Sequence, residues 1–123
     1  LCTKDLPYIA TNPDLVCPTE FGSVPDCGSV SEMIKNATGR MPKFIGKPEP
    51  TMVELAMQKT GFSKEETAVM GDRLYTDIAC GVNAGITTVF VLSGEGTMED
   101  VEESKEKPTF IYKNIREIYE DIK

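Results

Sequence analysis

The sequence predicts an α/β protein built on a parallel sheet, and three observations carry that expectation. From residue 43 onward, strand-like and helix-like segments alternate, as parallel strands joined by helical crossovers require. Thr87 to Leu92 (T-T-V-F-V-L) is a β-branched and apolar run, the clearest strand in the chain. Two charged motifs, at Lys47 and at Asp72, directly follow predicted strands, where ligands sit in such sheets.

The elements follow in order. Pro7 to Thr11 reads as a short strand broken by Asn12-Pro13. Residues 13–28 are rich in proline and glycine without periodicity and are expected to form a long loop. Ser29-x-x-Glu32 has the pattern of a capping box, and Val30, Met33, Ile34 and Ala37 then fall on one helical face that Gly39 ends. Lys43 to Gly46 is a brief strand. Thr51-x-x-Glu54 is expected to cap a helix whose inner face is Val53, Ala56, Met57 and Thr60, with Gly61 closing it. After a short turn at Ser63 to Glu66, Thr67 to Met70 reads as a buried strand. A small-residue helix spans roughly Tyr75 to Asn83 and stops at Gly85. After Thr87–Leu92, Thr97-x-x-Asp100 opens an acidic helix, Thr109 to Tyr112 is a last strand, and Ile115, Ile118, Tyr119 and Ile122 mark a final amphipathic helix. A composition shift near Gly39 to Pro42 suggests a hinge between a first piece, 1–40, and an α/β piece, 41–123.

Composition narrows the function. With 123 residues, 40% of them hydrophobic and 27% charged, the chain can bury a modest core. The net charge of −7 argues against nonspecific nucleic-acid binding. Glu95, Glu99, Asp100, Glu102, Glu103 and Glu106 supply much of that acidity and read as a solvated helix face. No apolar run is long enough to span a membrane, and no segment has the pattern of a signal peptide. Cys2, Cys17, Cys27 and Cys80 form no C-x-x-C, so reduced thiols and a cytoplasmic location are expected. Cys27 and Cys80 are expected to be buried and inert, and Cys17 to be the thiol to watch. With no histidine in the chain, catalysis must run on carboxylates, lysine, backbone amides or a metal. Leu1-Cys2-Thr3 is not a translation start, so a fragment or a cleaved product is expected.

Two motifs carry chemistry. In Gly71-Asp72-Arg73-Leu74-Tyr75-Thr76-Asp77, two carboxylates stand at a strand end, hard oxygen ligands suited to Mg²⁺. Their plain alternative is a helix cap and a first-turn acid. In Gly46-Lys47-Pro48-Glu49-Pro50, the prolines stiffen a turn around Lys47, whose ammonium could neutralise a phosphoryl group; otherwise it is a surface lysine. Gly94-Glu95-Gly96 reads as a plain turn rather than a ligand cradle.

In combination, the two motifs strongly resemble the third and fourth motifs of the haloacid dehalogenase superfamily. Tyr8 to Asp14, Gly28-Ser29, Thr38-Gly39-Arg40 and Leu92-Ser93-Gly94 resemble its NagD-like phosphatase branch. The resemblance implies a Rossmann-like core, of which 41–123 would be the C-terminal half, and an α/β cap, of which 1–40 would be the second half. It implies a phosphatase acting on sugar phosphates or nitrophenyl phosphate through an aspartyl-phosphate, with Mg²⁺ as cofactor. Lys47 and Asp72 would be catalytic, Asp72 and Asp77 would hold the metal, and Asn12, Asp14 and Lys47 would bind the small phosphorylated substrate. The family's D-x-D-G-T nucleophile motif and its Ser/Thr-Asn turn are absent from these 123 residues, so the chain alone is expected to be inactive. Cys17 stands where vitamin B6 phosphatases of this branch carry histidine, which argues against pyridoxal phosphate. The missing first strand would lie beside the one ending in Asp72, so pairing with that missing half or a homo-oligomer is expected. The alternative reading is a non-catalytic binding or interaction module; a phospho-receiver domain is disfavoured because Lys47 precedes the acids.

Overall fold

The structure, a computed structural model, describes residues 4–123. Cys2 therefore lies outside the described residues. The chain divides into two compact units, one ending at Gly46 and the other beginning at Lys47. The boundary falls later than the hinge expected near residue 40. The reason is a parallel pair, β1 (Ile9–Ala10) with β4 (Lys43–Phe44), which ties residues 43–45 to the first unit. Lys43 N–H donates to Tyr8 O at 2.8 Å, and Ile45 N–H donates to Ala10 O at 3.0 Å.

Between these strands the first unit holds an antiparallel hairpin, β2 (Val16–Thr19) and β3 (Gly22–Pro25), and helix α1 (Cys27–Thr38). The hairpin replaces the expected long loop. Its strands are exposed throughout, so they carry no hydrophobic alternation from which to read them. Gly22, at φ 116°, supplies the turn geometry that a side chain resists. Helix α1 starts two residues before Ser29: Asp26 caps it, accepting the Cys27 N–H at 2.6 Å, while the Ser29 hydroxyl donates to Leu15 O. Its buried positions are Gly28 and Ser31, and Val30 and Met33 of the expected inner face are exposed. Gly28 is needed there because a Cβ would fall on the Pro13 carbonyl oxygen. As expected, Gly39 closes the helix in the left-handed region, at φ 73°.

The second unit is a three-stranded parallel sheet with order β5-β6-β7, formed by Ala68–Gly71, Thr87–Val91 and Phe110–Tyr112. Helix α2 (Thr51–Thr60) precedes it, entered from Pro50 without the side-chain cap expected of Thr51. Val53 and Met57 of its expected inner face are half-buried, but Ala56 and Thr60 are exposed. Between β5 and β6 a π-helical turn (Leu74–Ile78) runs into α3 (Ala79–Ala84), which Gly85 ends. Helix α4 (Met98–Glu103) starts at Thr97-x-x-Asp100 as expected, where Thr97 and Asp100 form a capping box, and α5 (Ile115–Asp121) is capped by Asn114.

Apart from Pro42, every buried apolar side chain among the described residues lies between Leu74 and Val101. Leu74, Ile78, Phe90 and Val101 form the core, with Leu92 packed against it. Central strand β6 alternates half-buried and buried positions, whereas β5 is an edge strand in which Ala68 and Met70 are exposed. It therefore differs from the buried strand expected there. In β5–β6 register, Gly71 stands opposite Phe90, so Asp72 leaves the sheet beside the loop that follows β6.

Candidate active site

The site in the second unit grows from the carboxyl end of β5. The Arg73 carbonyl accepts from both Asp77 N–H (3.0 Å) and Ile78 N–H (3.2 Å), so the chain enters its helix through a widened π turn. Such turns recur at functional sites because they re-aim side chains. Here the turn folds the Asp77 carboxylate back over the strand end. Its Oδ2 accepts the Arg73 N–H at 3.2 Å, and its Oδ1 accepts the Lys47 ammonium at 2.5 Å. The Asp77 side chain is only 9% exposed, while that of Lys47 is 56% exposed. The carboxylate is thus the fixed member of the pair. Gly71 permits the arrangement, since a Cβ there would occupy the space of the Asp77 side chain.

Asp72 is held differently. Its Oδ2 accepts the Glu95 N–H at 2.7 Å, its carbonyl accepts the Gly96 N–H at 3.0 Å, and its Oδ1 accepts no hydrogen bond among the described residues. Gly94 permits this approach, because a Cβ there would fall on the Asp72 carboxylate. The loop Gly94-Glu95-Gly96 is therefore more than a plain turn. Glu95 does not belong to the solvated helix face either. It precedes α4 and receives Arg73 Nε at 2.6 Å and the Tyr75 hydroxyl at 3.2 Å. The nearby Glu95 carboxylate holds the Arg73 guanidinium firmly charged. A cleft of about 330 Å³ opens here, lined by Asp72, Arg73, Tyr75, Glu95 and Asp100 among others.

The structure thus brings Lys47 onto Asp77 and sets Asp72 against the loop after β6. Asn12 and Asp14 belong to the first unit, where Asn12 Oδ1 accepts the Asp14 N–H at 3.0 Å and the Asp14 carbonyl accepts the Gly28 N–H at 2.8 Å. Sequence reasoning missed Arg73 and Glu95 as a pair. Both lie in motifs it singled out, but nothing in their spacing says that they meet. Cys27 is another correction: it is half-buried rather than buried, at the start of α1. Hydrogen bonding from the Thr11 hydroxyl and the Asn12 backbone pushes its thiol below the ordinary range. Cys80 is buried as expected, and burial pushes its thiol up.

Chemically, the site offers hard oxygen donors and one ammonium. Among the described residues there is no group of three or more His, Cys, Asp or Glu side chains able to cage a metal. Two carboxylates at a strand end suit a small divalent cation that keeps several waters and shares itself with a phosphate.

These features define a family. The model of HAD-hydrolase-like proteins matches residues 44–118, and the chain belongs to that family. It is 38% identical over 115 residues to an acid sugar phosphatase of Staphylococcus aureus, covering 94% of the chain and 44% of that relative. Among solved structures, a 4-nitrophenylphosphatase from Thermotoga maritima matches with a TM-score of 0.86 and 47% identity, over 95% of this chain and 45% of that one. A glycerol phosphate phosphatase from Mycobacterium tuberculosis, in complex with magnesium, matches with a TM-score of 0.82 and 34% identity, over 89% of this chain and 34% of that one. The chain spans less than half the length of each of these relatives. Among the described residues, no helix is long and apolar enough to cross a membrane.

Proposed function

We propose that this chain is the C-terminal part of a Mg²⁺-dependent phosphomonoester hydrolase acting on sugar phosphates and nitrophenyl phosphate. The observation that carries the reading is the division of labour at the end of β5: Asp77 anchors Lys47, while Asp72 keeps one carboxylate oxygen uncommitted. In this reading Asp72 is the metal ligand and Asp77 supports the site by holding Lys47. Mg²⁺, when bound, would supply charge neutralisation at the phosphoryl oxygens. Lys47, exposed on its solvent side, is suited to hold a phosphoryl group beside the attacking carboxylate. The nucleophile is an aspartate outside these 123 residues, in which no D-x-D occurs. That carboxylate attacks phosphorus, the bond to the leaving alcohol breaks, and water releases phosphate from the aspartyl-phosphate. Residues 1–40 would be the second half of a cap, and Asn12 and Asp14 would be substrate-binding residues.

β5 pairs only with β6, so its outer edge is unpaired within the described residues. We infer that this edge receives a strand from the nucleophile-bearing segment, with a homo-oligomer as the competing outcome. The free thiols of Cys17, Cys27 and Cys80 favour the cytoplasm.

The test is a chimera that joins the chain to the N-terminal part of the Thermotoga maritima 4-nitrophenylphosphatase. With Mg²⁺, the chimera is expected to hydrolyse nitrophenyl phosphate and the chain alone is not. Substituting Asp72→Asn or Lys47→Ala in the chimera should abolish turnover. Mg²⁺-dependent hydrolysis by the chain alone would remove the nucleophile from the account. An active chimera indifferent to Asp72→Asn would leave the chain as a binding module.

A further inference from the structure

We propose that Glu95 is a positioning residue for Asp72: its side chain clamps the loop after β6 so that its own backbone N–H fixes one Asp72 oxygen and leaves the other for a divalent cation. The inference rests on reading Asp72 as the cation ligand. Four observations support it. The Glu95 N–H reaches Asp72 Oδ2 at 2.7 Å, and the Gly96 N–H reaches the Asp72 carbonyl at 3.0 Å, so consecutive amides of one loop grip one residue. The loop is a flexible Gly-Glu-Gly segment that would not hold this position by its own stiffness. What ties it down is the Glu95 carboxylate, with Oε2 on Arg73 Nε at 2.6 Å and Oε1 on the Tyr75 hydroxyl at 3.2 Å. Arg73 immediately follows Asp72 in the chain, so the clamp and the residue it orients share one backbone segment.

An exposed ion pair contributes little to stability, because water screens it. Glu95 and Arg73 are respectively 51% and 38% exposed at their side chains, so the pair is not there to hold the fold together. Its consequence is geometric. Without the clamp the loop can swing away, the Asp72 carboxylate gains a rotational freedom it lacks here, and cation binding must then pay to restrict it. Outer groups that orient a ligating carboxylate commonly change affinity without touching the metal.

The test uses the ¹⁵N-labelled chain with Mn²⁺ as the probe, followed by paramagnetic broadening of amide resonances around Asp72. Substituting Glu95→Ala should raise the Mn²⁺ concentration for half-maximal broadening about 10-fold. Glu95→Gln, which keeps one acceptor oxygen for Arg73 or Tyr75 and loses the other, should fall between this variant and the wild type. Glu103→Ala, which removes a carboxylate from the same cleft without touching Asp72, should titrate as the wild type. The urea midpoint of Glu95→Ala should stay at the wild-type value, which separates positioning from a merely structural role. Asp72→Asn should lose the broadening. If Asp72→Asn loses it and Glu95→Ala titrates as the wild type, the inference about Glu95 is overturned while the reading of Asp72 stands. If Asp72→Asn broadens as the wild type does, or the wild type shows no broadening at Asp72, the reading of Asp72 fails and the inference with it.

Discussion

The two units are held by different physics. In the second unit, Phe90 and Ile78 are fully buried, and Phe90 stands opposite Gly71, the residue before Asp72. Among the described residues of the first unit, the large apolar side chains are exposed or half-buried, Phe21 being 97% exposed, and backbone pairing, caps and close glycine contacts define the structure. A packed core resists small displacements, because interiors are as dense as organic crystals. Carboxylates that must keep their geometry to a fraction of an ångström therefore belong over the core of the second unit.

Phe90→Ala should destabilise the second unit by about 3–5 kcal/mol in urea denaturation. Phe21→Ala at the hairpin tip should stay within about 0.5 kcal/mol of the wild type. Equal effects would mean that the units do not differ as described.

Glycine substitutions sharpen the same contrast. Gly71→Ala places a methyl group on the Asp77 side chain and should cost about 1–3 kcal/mol while releasing Lys47, visible as a shifted Lys47 side-chain resonance. Gly28→Ala meets the Pro13 carbonyl in the first unit and should cost a similar ~1–3 kcal/mol, although the large apolar side chains described there are exposed or half-buried.

How far the fold was legible depends on whether a local signal existed. β6 announced itself by β-branched residues, α4 by its capping box, and three helix ends by Gly39, Gly61 and Gly85, each in the left-handed region. The hairpin at 16–25 gave no signal, since its strands are solvated on both faces and Pro18 interrupts the pattern. The face of α1 was misread because its buried side carries Gly28 and Ser31, small residues that a search for apolar periodicity ignores. The β1–β4 pairing, which ties residues 43–45 to the first unit, joins strands more than thirty residues apart and has no local signal. At the site, Lys47, Asp72 and Asp77 were legible as types at strand ends. Which acid receives the lysine was not, since the π turn that decides it depends on backbone hydrogen bonding.

Smaller effects test the caps and the thiols. Asn114 Oδ1 accepts the Arg116 and Glu117 N–H groups, so Asn114→Ala should cost ~1 kcal/mol in the same denaturation series. The two shifted thiols provide a pH test across the units. Cys27 is held below the ordinary thiol range by its hydrogen bonds, and Cys80 is pushed above it by burial. Iodoacetamide should therefore label Cys27 before Cys80 at neutral pH, with mass spectrometry locating the adducts. The sign of the linkage follows: a lowered folded-state value favours the native state above the ordinary thiol pKa, and this contribution is lost as pH falls through the folded value. For Cys80 the raised value acts in the opposite sense, so its contribution is present below the ordinary thiol pKa and is lost as pH rises through the folded value.

The most direct test of the site is a crystal structure of the chimera grown with Mg²⁺ and a phosphate mimic. Mg²⁺ is expected on an Asp72 oxygen at about 2.0–2.1 Å, with the Lys47 ammonium still on Asp77. Mg²⁺ seated on Asp77 with Lys47 displaced, or a cation bound away from Asp72 altogether, would contradict it.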